Sequence, residues 1–139
     1  MEITANALQT VEANQNVIFT ETAVCGNSSI LHREGSGLVT LRGVTNQCRA
    51  RFRVFFSGNI AIPEGGTVAP ISLAIAINGE AVASTTMIST PAAAEQFNNV
   101  SSAVYLEVPC GCCVTVSVRN VGAEPVDVQN ANLIIDRVA

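Results

Sequence analysis

The chain has no lysine and no tryptophan, and only one tyrosine and one histidine. Its seven basic residues are all arginine, and charged residues make up 13% of the sequence, about half of the ~25% usual in soluble domains. With eleven acidic residues the net charge is −4 and the isoelectric point is near 4.8. The basic face expected of a nucleic-acid binder is therefore missing. Long apolar runs are missing too. Mean hydropathy is high at +0.38, yet no stretch approaches the ~18 consecutive apolar residues that a membrane span needs. The opening MEITANALQTVEANQ carries Glu2 and Glu12 but no basic residue and no sustained apolar core. It reads as neither a secretory signal nor a targeting helix. Synthesis and folding in a cytoplasm are expected, with release by lysis or as part of a particle left open.

Low charge has a second consequence. A chain of 139 residues makes one domain, with a folded surface of about 6,900 Å² against about 21,000 Å² unfolded. Such a surface is normally coated with Lys, Glu, Asp and Arg; here Asn, Gln, Ser, Thr and Ala take their place. Either the surface is polar but uncharged, or other subunits cover much of it, as in an obligate oligomer. The oligomer is the preferred reading.

What the chain does have is alternation with period two. Val17 and Phe19 share a face, as do Val39 and Leu41. Phe52, Val54 and Phe56 oppose Arg51, Arg53 and Phe55; Val104, Leu106 and Val108 oppose Tyr105 and Glu107; Val114, Val116 and Val118 alternate with Thr115, Ser117 and Arg119. Leu73, Ile75 and Ile77 alternate with Ser72, Ala74 and Ala76, a small-residue face that suits either close packing of another surface or a strand beneath a loop. VDVQNANLIIDRV is long enough for one bent strand or two short ones. Turn signals separate the runs at Gly26-Asn27, Gly35–Gly37, Pro63–Gly66, Asn78-Gly79, Pro109 with Gly111, and Gly122–Pro125. Asn78-Gly79 favours a two-residue hairpin because both positions tolerate positive φ. Only Pro91–Gln96 has helical composition, for about one turn. Eight to ten short strands at this spacing predict an all-β antiparallel sandwich or barrel. Residues 15–139 form that domain; residues 1–14, weakly patterned, are an arm on a neighbour or are disordered.

Catalytic chemistry finds little material. A metal site or hydrolytic triad would have to be built around His32, but Ser36 lies in a Gly-Ser-Gly loop and not on a strand-to-helix elbow. A surface or subunit-contact ion pair among His32, Arg33 and Glu34 is the preferred reading. Glu34, Glu64 and Glu80 stand alone, without the paired spacing of an acid and base. Asp127 and Asp136 do not supply the clustered oxygens of a calcium loop. The five cysteines are Cys25, Cys48, Cys110, Cys112 and Cys113. Their spacing is not that of a structural zinc site, and adjacent Cys112 and Cys113 point to opposite faces of a strand. They are small apolar side chains at a turn, or two of them form a disulfide, or they hold a metal; the odd number leaves one thiol free or pairs it across subunits. Arg49, Arg51 and Arg53 fall on one strand face, about 6–7 Å apart. This ladder either contacts an anionic glycan or a partner's carboxylates, or is balanced by cross-strand Glu or Asp; the balanced face is preferred. No enzyme and no cofactor is expected.

The strand order resembles the tumour-necrosis-factor-like, complement-like trimeric jelly roll, and in particular the C-terminal domain of collagen-like spore-surface glycoproteins. The elements that carry the resemblance are FRVFFSGNIAIPEGG, ISLAIAINGEAVASTT, SSAVYLEVPCGCCVTVSVRN and the closing NANLIIDRVA, with NVIFTETAV and HREGSGLVTLRG as the first strands. The HREGSG segment is also similar to one in proteins of gut Firmicutes and their phages. The resemblance implies a jelly-roll sandwich assembling as a homotrimer, with Leu133 and Ile135 near the threefold axis and Leu73 and Ile75 at the subunit interface. The sequence departs from the spore-surface proteins in having no Gly-X-Y stalk. It implies a structural protein of a phage virion, a capsid decoration protein or fibre head, partnered by the major capsid or fibre protein. The alternative is a bacterial-surface or spore-coat module, or a phage adhesin, that binds a cell-surface glycan or receptor through apical loops.

Overall fold

The computed structural model describes residues 1–26 and 28–139, so the turn expected at Gly26-Asn27 lies partly outside the described residues. The chain forms β1 (Glu2–Ala5), β2 (Gln9–Val11), β3 (Glu21–Val24), β4 (Ile30–His32), β5 (Val39–Arg42) and β6 (Arg49–Ala61). These are followed by β7 (Ile71–Ile77), β8 (Glu80–Ala81), β9 (Met87–Ser89), β10 (Asn98–Pro109), β11 (Cys113–Asn120) and β12 (Val126–Arg137). The count exceeds eight to ten because β2, β8 and β9, of two or three residues each, are too short to show a period in the sequence.

Two antiparallel sheets result. One runs β10-β6-β12-β1-β3, with β2 also on β12; the other runs β4-β5-β11-β7-β8, with β9 also on β7. Neighbours in a sheet are seldom neighbours in sequence, so the chain crosses repeatedly from one sheet to the other. The apolar halves of the alternating strands meet between them. Ala50, Phe52, Val54 and Phe56 of β6 are fully buried, as are Leu41, Leu73, Ile75, Val116, Val118 and Leu133. Phe19 meets Phe56 edge to face, with ring centroids 6.4 Å apart, the geometry that aromatic quadrupoles favour. The folded chain exposes 6873 Å², close to the value that scaling gives for a compact monomer of this mass. The protomer therefore closes its own core.

Local chemistry sets the turns. Ile77 pairs with Glu80 across Asn78 (φ 53°) and Gly79 (φ 83°), the two-residue hairpin with both central residues left-handed. The Asn78 carboxamide oxygen also accepts the Thr115 amide at 3.0 Å. β12 is one bent strand: its pairing with β6 shifts between Gln129 and Asn132, where Asn130 takes a φ of 56°, a bulge that bends the strand. The turn expected at Pro91–Gln96 is not helical. Glu95 adopts a φ of 63° and its amide bonds the Ile62 carbonyl at 2.8 Å, which ends any helical run. The short 3-10 turn lies instead at Ala83–Thr85. There the buried Thr85 hydroxyl accepts the Ile75 amide at 2.9 Å and donates to the Val82 carbonyl at 2.7 Å, closing the gap in the β7 ladder between β8 and β9.

The expectation of an arm over residues 1–14 is corrected. β1 pairs with both β12 and β3, and Ile3 and Val11 belong to the core. Short strands flanked by Asn and Ala carry too little alternation to be read, yet they fill the space beside β12. One buried amide ties this segment down. Asn120, with no exposed surface, donates to the Val11 carbonyl at 3.0 Å and the Glu124 carbonyl at 2.8 Å, and accepts the Gly122 amide at 3.0 Å. Asn120→Leu leaves those three backbone groups unpaired. It is expected to lower stability by about 2 kcal/mol, seen as a lower urea midpoint at unchanged slope.

Candidate functional site

The outward face of the six-stranded sheet collects the residues that alternate with its core. Across β10, β6 and β12 they stand in rows set by the register. Glu107 is opposite Arg51, and Tyr105 opposite Arg53, which is in turn opposite Asp136. The next row runs Ala103, Phe55, Ile134, Glu2 and Val24. Beyond it lie Ser101, Ser57, Asn132 and Thr4, then Asn99, Asn59 and Gln129. The face is thus banded: ionic at one end, mainly apolar with Glu2 as its one charge across the middle, and uncharged polar at the other.

In the ionic band every arginine of the ladder has a carboxylate. Arg49 Nη1 lies 2.7 Å from Glu107 Oε2, Arg51 Nη2 lies 3.0 Å from Glu107 Oε1, and Arg53 Nη2 lies 2.8 Å from Asp136 Oδ2. The preferred reading of the sequence, a face balanced across strands, is what the structure contains. Three guanidinium groups against two carboxylates leave little charge for an outside anion. Hydrogen bonds from Arg49 and then Arg51 hold the Glu107 carboxyl below the usual carboxylate range, and the same pairing raises Arg49. Arg51, Tyr105, Leu106, Glu107 and Val138 line an open groove of about 740 Å³. Tyr105 is 66% exposed on its wall.

Beside this face lies an open strand edge. Among the described residues β10 pairs only with β6, and of its twelve residues only Glu107 is charged. Val100, Ser102 and Val104 point toward the sandwich interior but are only half-buried, because β10 is the outermost strand of its sheet. Long uncharged edges are template sites for association unless something covers them.

The structure buries the residues expected at an interface. Leu133, Ile135, Leu73 and Ile75 are at most 1% exposed; they fill the protomer's own core and are not at its surface. Their neighbours on β7, Ala74 and Ala76, are themselves buried, whereas on β12 the outward neighbours Ile134 and Asp136 take the surface positions. Of these, Ile134 is half-buried and sits beside Phe55. The signal was present in the alternation, where Phe55 stands on the arginine side of β6 and Ile134 between two core residues. The small face of β7 is covered by the chain itself. Ala74 and Ala76 are fully buried; Arg119, opposite Ala74, reaches along the strand to donate to the Gly79 carbonyl at 2.7 Å.

The remaining candidates lie apart. His32 Nε2 donates to the Ser36 carbonyl at 3.0 Å, and Glu34 accepts the Thr22 amide at 3.1 Å, so no ion pair links them. Cys25, Cys48, Cys110, Cys112 and Cys113 are all exposed free thiols. Among the described residues no group of three or more His, Cys, Asp or Glu is placed to hold a metal ion, and no helix is long and apolar enough to cross a membrane.

Because the folded Glu107 value is depressed, its ion pairs stabilise above the unfolded carboxyl value and are lost as pH falls through the lowered folded one. A carboxyl-carbon NMR titration is expected to place Glu107 below about 4.3, the free Glu value. Arg49→Gln moves its midpoint up, while the urea midpoint changes little because the pair is exposed.

No protein-family model matches the sequence, and no curated protein matches it. Among solved structures, the globular domain of zebrafish complement 1qA protein aligns with a TM-score of 0.57 at 13% identity, over 96% of this chain and 93% of that one. A family 35 carbohydrate-binding module from Clostridium thermocellum aligns over 92% of this chain and 98% of that one, at 12% identity and a TM-score of 0.36. The first likeness agrees with the sheet orders described above: the fold is an antiparallel jelly-roll sandwich of the complement, tumour-necrosis-factor-like kind.

Proposed function

We propose that this chain is a non-enzymatic structural protein that assembles as a homotrimer and serves in a phage virion, as a capsid decoration protein or fibre head. The outward face of the six-stranded sheet and the β10 edge turn toward the threefold axis. The observation that carries this reading is the open β10 edge, twelve residues long with one charge, beside a mainly apolar row of Ala103, Phe55, Ile134 and Val24 in which Glu2 is the one charge. A core already closed within the protomer supports it as well: the scarcity of charge is then a property of the covered surface and not of a loose interior. The partner is the major capsid or fibre protein. With β1 and β2 built into the sheet, attachment to the particle falls to the loops at the ends of the sandwich and not to a free arm.

The second reading is a surface module, of a bacterium, a spore coat or a phage adhesin, that binds a glycan or receptor. The groove beside Tyr105 favours it, since an exposed aromatic ring flanked by charged hydrogen-bonding groups suits a sugar. That groove lies on the sheet face and not at the loop apex where the resemblance put it. A trimer closed through this face covers the groove, so the two readings exclude each other there.

Light scattering after size exclusion separates them. At micromolar concentration the mass is expected near three times the 14.5 kDa chain, with and without reductant. Ala103→Arg, which puts a charge in the mainly apolar row, is expected to give a folded monomer of unchanged circular dichroism. A wild-type monomer would remove the virion-trimer reading. Glycan-array binding by that monomer, lost in Tyr105→Ala, would establish the second.

A further inference from the structure

The geometry points to Cys48 and Cys110 as a redox-active pair that closes into a cross-strand disulfide on exposure to a low-molecular-weight disulfide. This inference does not depend on the oligomer. Pro109 pairs with Arg49 at the end of the β10–β6 ladder, and the ladder continues one step further: the Cys110 amide donates to the Cys48 carbonyl at 2.9 Å. The two cysteines therefore face each other just beyond the strand ends through one of the two bonds of a hydrogen-bonded pair. In a complete pair of that kind the Cα atoms are about 5.5 Å apart, within the range of about 4.4–6.8 Å that a disulfide spans. Both side chains of such a pair leave the ladder on the same side, and both thiols are exposed.

The segment that carries Cys48 is held against the turn that carries Cys110. Gly43 donates to the Cys112 carbonyl at 2.9 Å and accepts the Gly111 amide at 3.1 Å. A Cβ at Gly43 would collide with the Pro109 carbonyl, so the backbones approach as closely as only glycine allows. The Cys110 thiol itself donates to the Thr45 carbonyl at 3.2 Å, aiming its sulfur at the 43–48 loop. The other cysteines are placed less well. Cys113 is opposite Arg42 on β5. Cys25 follows β3, at the opposite edge of the sheet from β10 and three strands from β6, about 14 Å away at the usual strand spacing.

The chemistry balances as thiol–disulfide exchange. The thiolate of one cysteine attacks a small disulfide such as oxidised glutathione, forming a mixed disulfide and releasing one thiol. The second cysteine then attacks the protein sulfur of that mixed disulfide and releases the other thiol, so the two protein protons end on the two released thiols. An exposed bridge of this kind is reducible, and the pair cycles with the thiol poise.

The test uses the whole chain equilibrated with oxidised glutathione, alkylated while denatured, and digested with trypsin. Cleavage after arginine frees residues 43–49, whose only cysteine is Cys48, and residues 54–119, which contain Cys110, Cys112 and Cys113. The two fragments are expected joined, within a chain that runs as one subunit on a non-reducing denaturing gel. The link disappears in Cys110→Ser and persists in Cys112→Ser and Cys113→Ser. Oxidation raises the thermal midpoint of wild type by about 10 °C and leaves that of Cys48→Ser unchanged. An alkylated Cys48, a link that survives Cys110→Ser, or a link found only between chains would each overturn the pairing.

Discussion

The pairing of β6 along nearly its whole length, with β10 on one side and β12 on the other, organises this molecule. Alternation over the twelve residues from Arg49 to Ile60 puts Phe52, Val54 and Phe56 inside and Arg49, Arg51 and Arg53 outside. The register then decides which side chains the neighbouring strands set beside them. Glu107 and Asp136 meet the arginines because β10 and β12 run antiparallel to β6 at those positions. A shift of one residue in either pairing would turn core side chains to solvent.

The same arrangement leaves β10 with a single partner. Its amides at even positions face β6, as the Cys110 bond to Cys48 shows, so those of Asn99, Ser101, Ala103, Tyr105 and Glu107 face outward. Natural sheets blunt such an edge with charge, proline or a covering element; here Glu107 and Pro109 stand at one end only. On the neighbouring face Arg49, Arg51, Arg53, Glu107 and Asp136 are engaged in cross-strand pairs, and the mainly apolar row beside them carries one charge, Glu2. Scarce charge, a bare edge and a mainly apolar row lie together on one side of the sandwich, and the proposed assembly rests on that coincidence.

Much of the fold was legible because long strands alternate plainly. The Asn78-Gly79 hairpin and the balanced arginine ladder follow from residue types at fixed spacing, while the closing run is compatible from sequence with one bent strand or two short ones and only the Asn130 bulge decides. What escaped did so for physical reasons. β1 and β2 are too short to show a period, and their place beside β12 is set by long-range pairing and the Asn120 amide, neither of which leaves a local trace. Pro91–Gln96 has helical composition, but its bond to Ile62 overrides propensity. The resemblance puts Leu133 and Leu73 at an interface, and hydrophobicity alone does not distinguish a protomer's interior, where they lie, from a contact between protomers. Parity separates the two: in a strand with a core on one side, the apolar residues on the other, here Phe55 and Ile134, are the ones the proposed assembly would cover.

Hydrogen exchange read residue by residue along β10 tests the central claim most directly. At concentrations where the chain is assembled, the amides of Ser101, Ala103 and Tyr105 are expected to exchange as slowly as those of β6, and to become fast in Ala103→Arg while Val104 and Leu106 stay protected. Fast exchange at Ser101, Ala103 and Tyr105 in the wild-type chain at those concentrations would show the edge open to water, and would contradict the account.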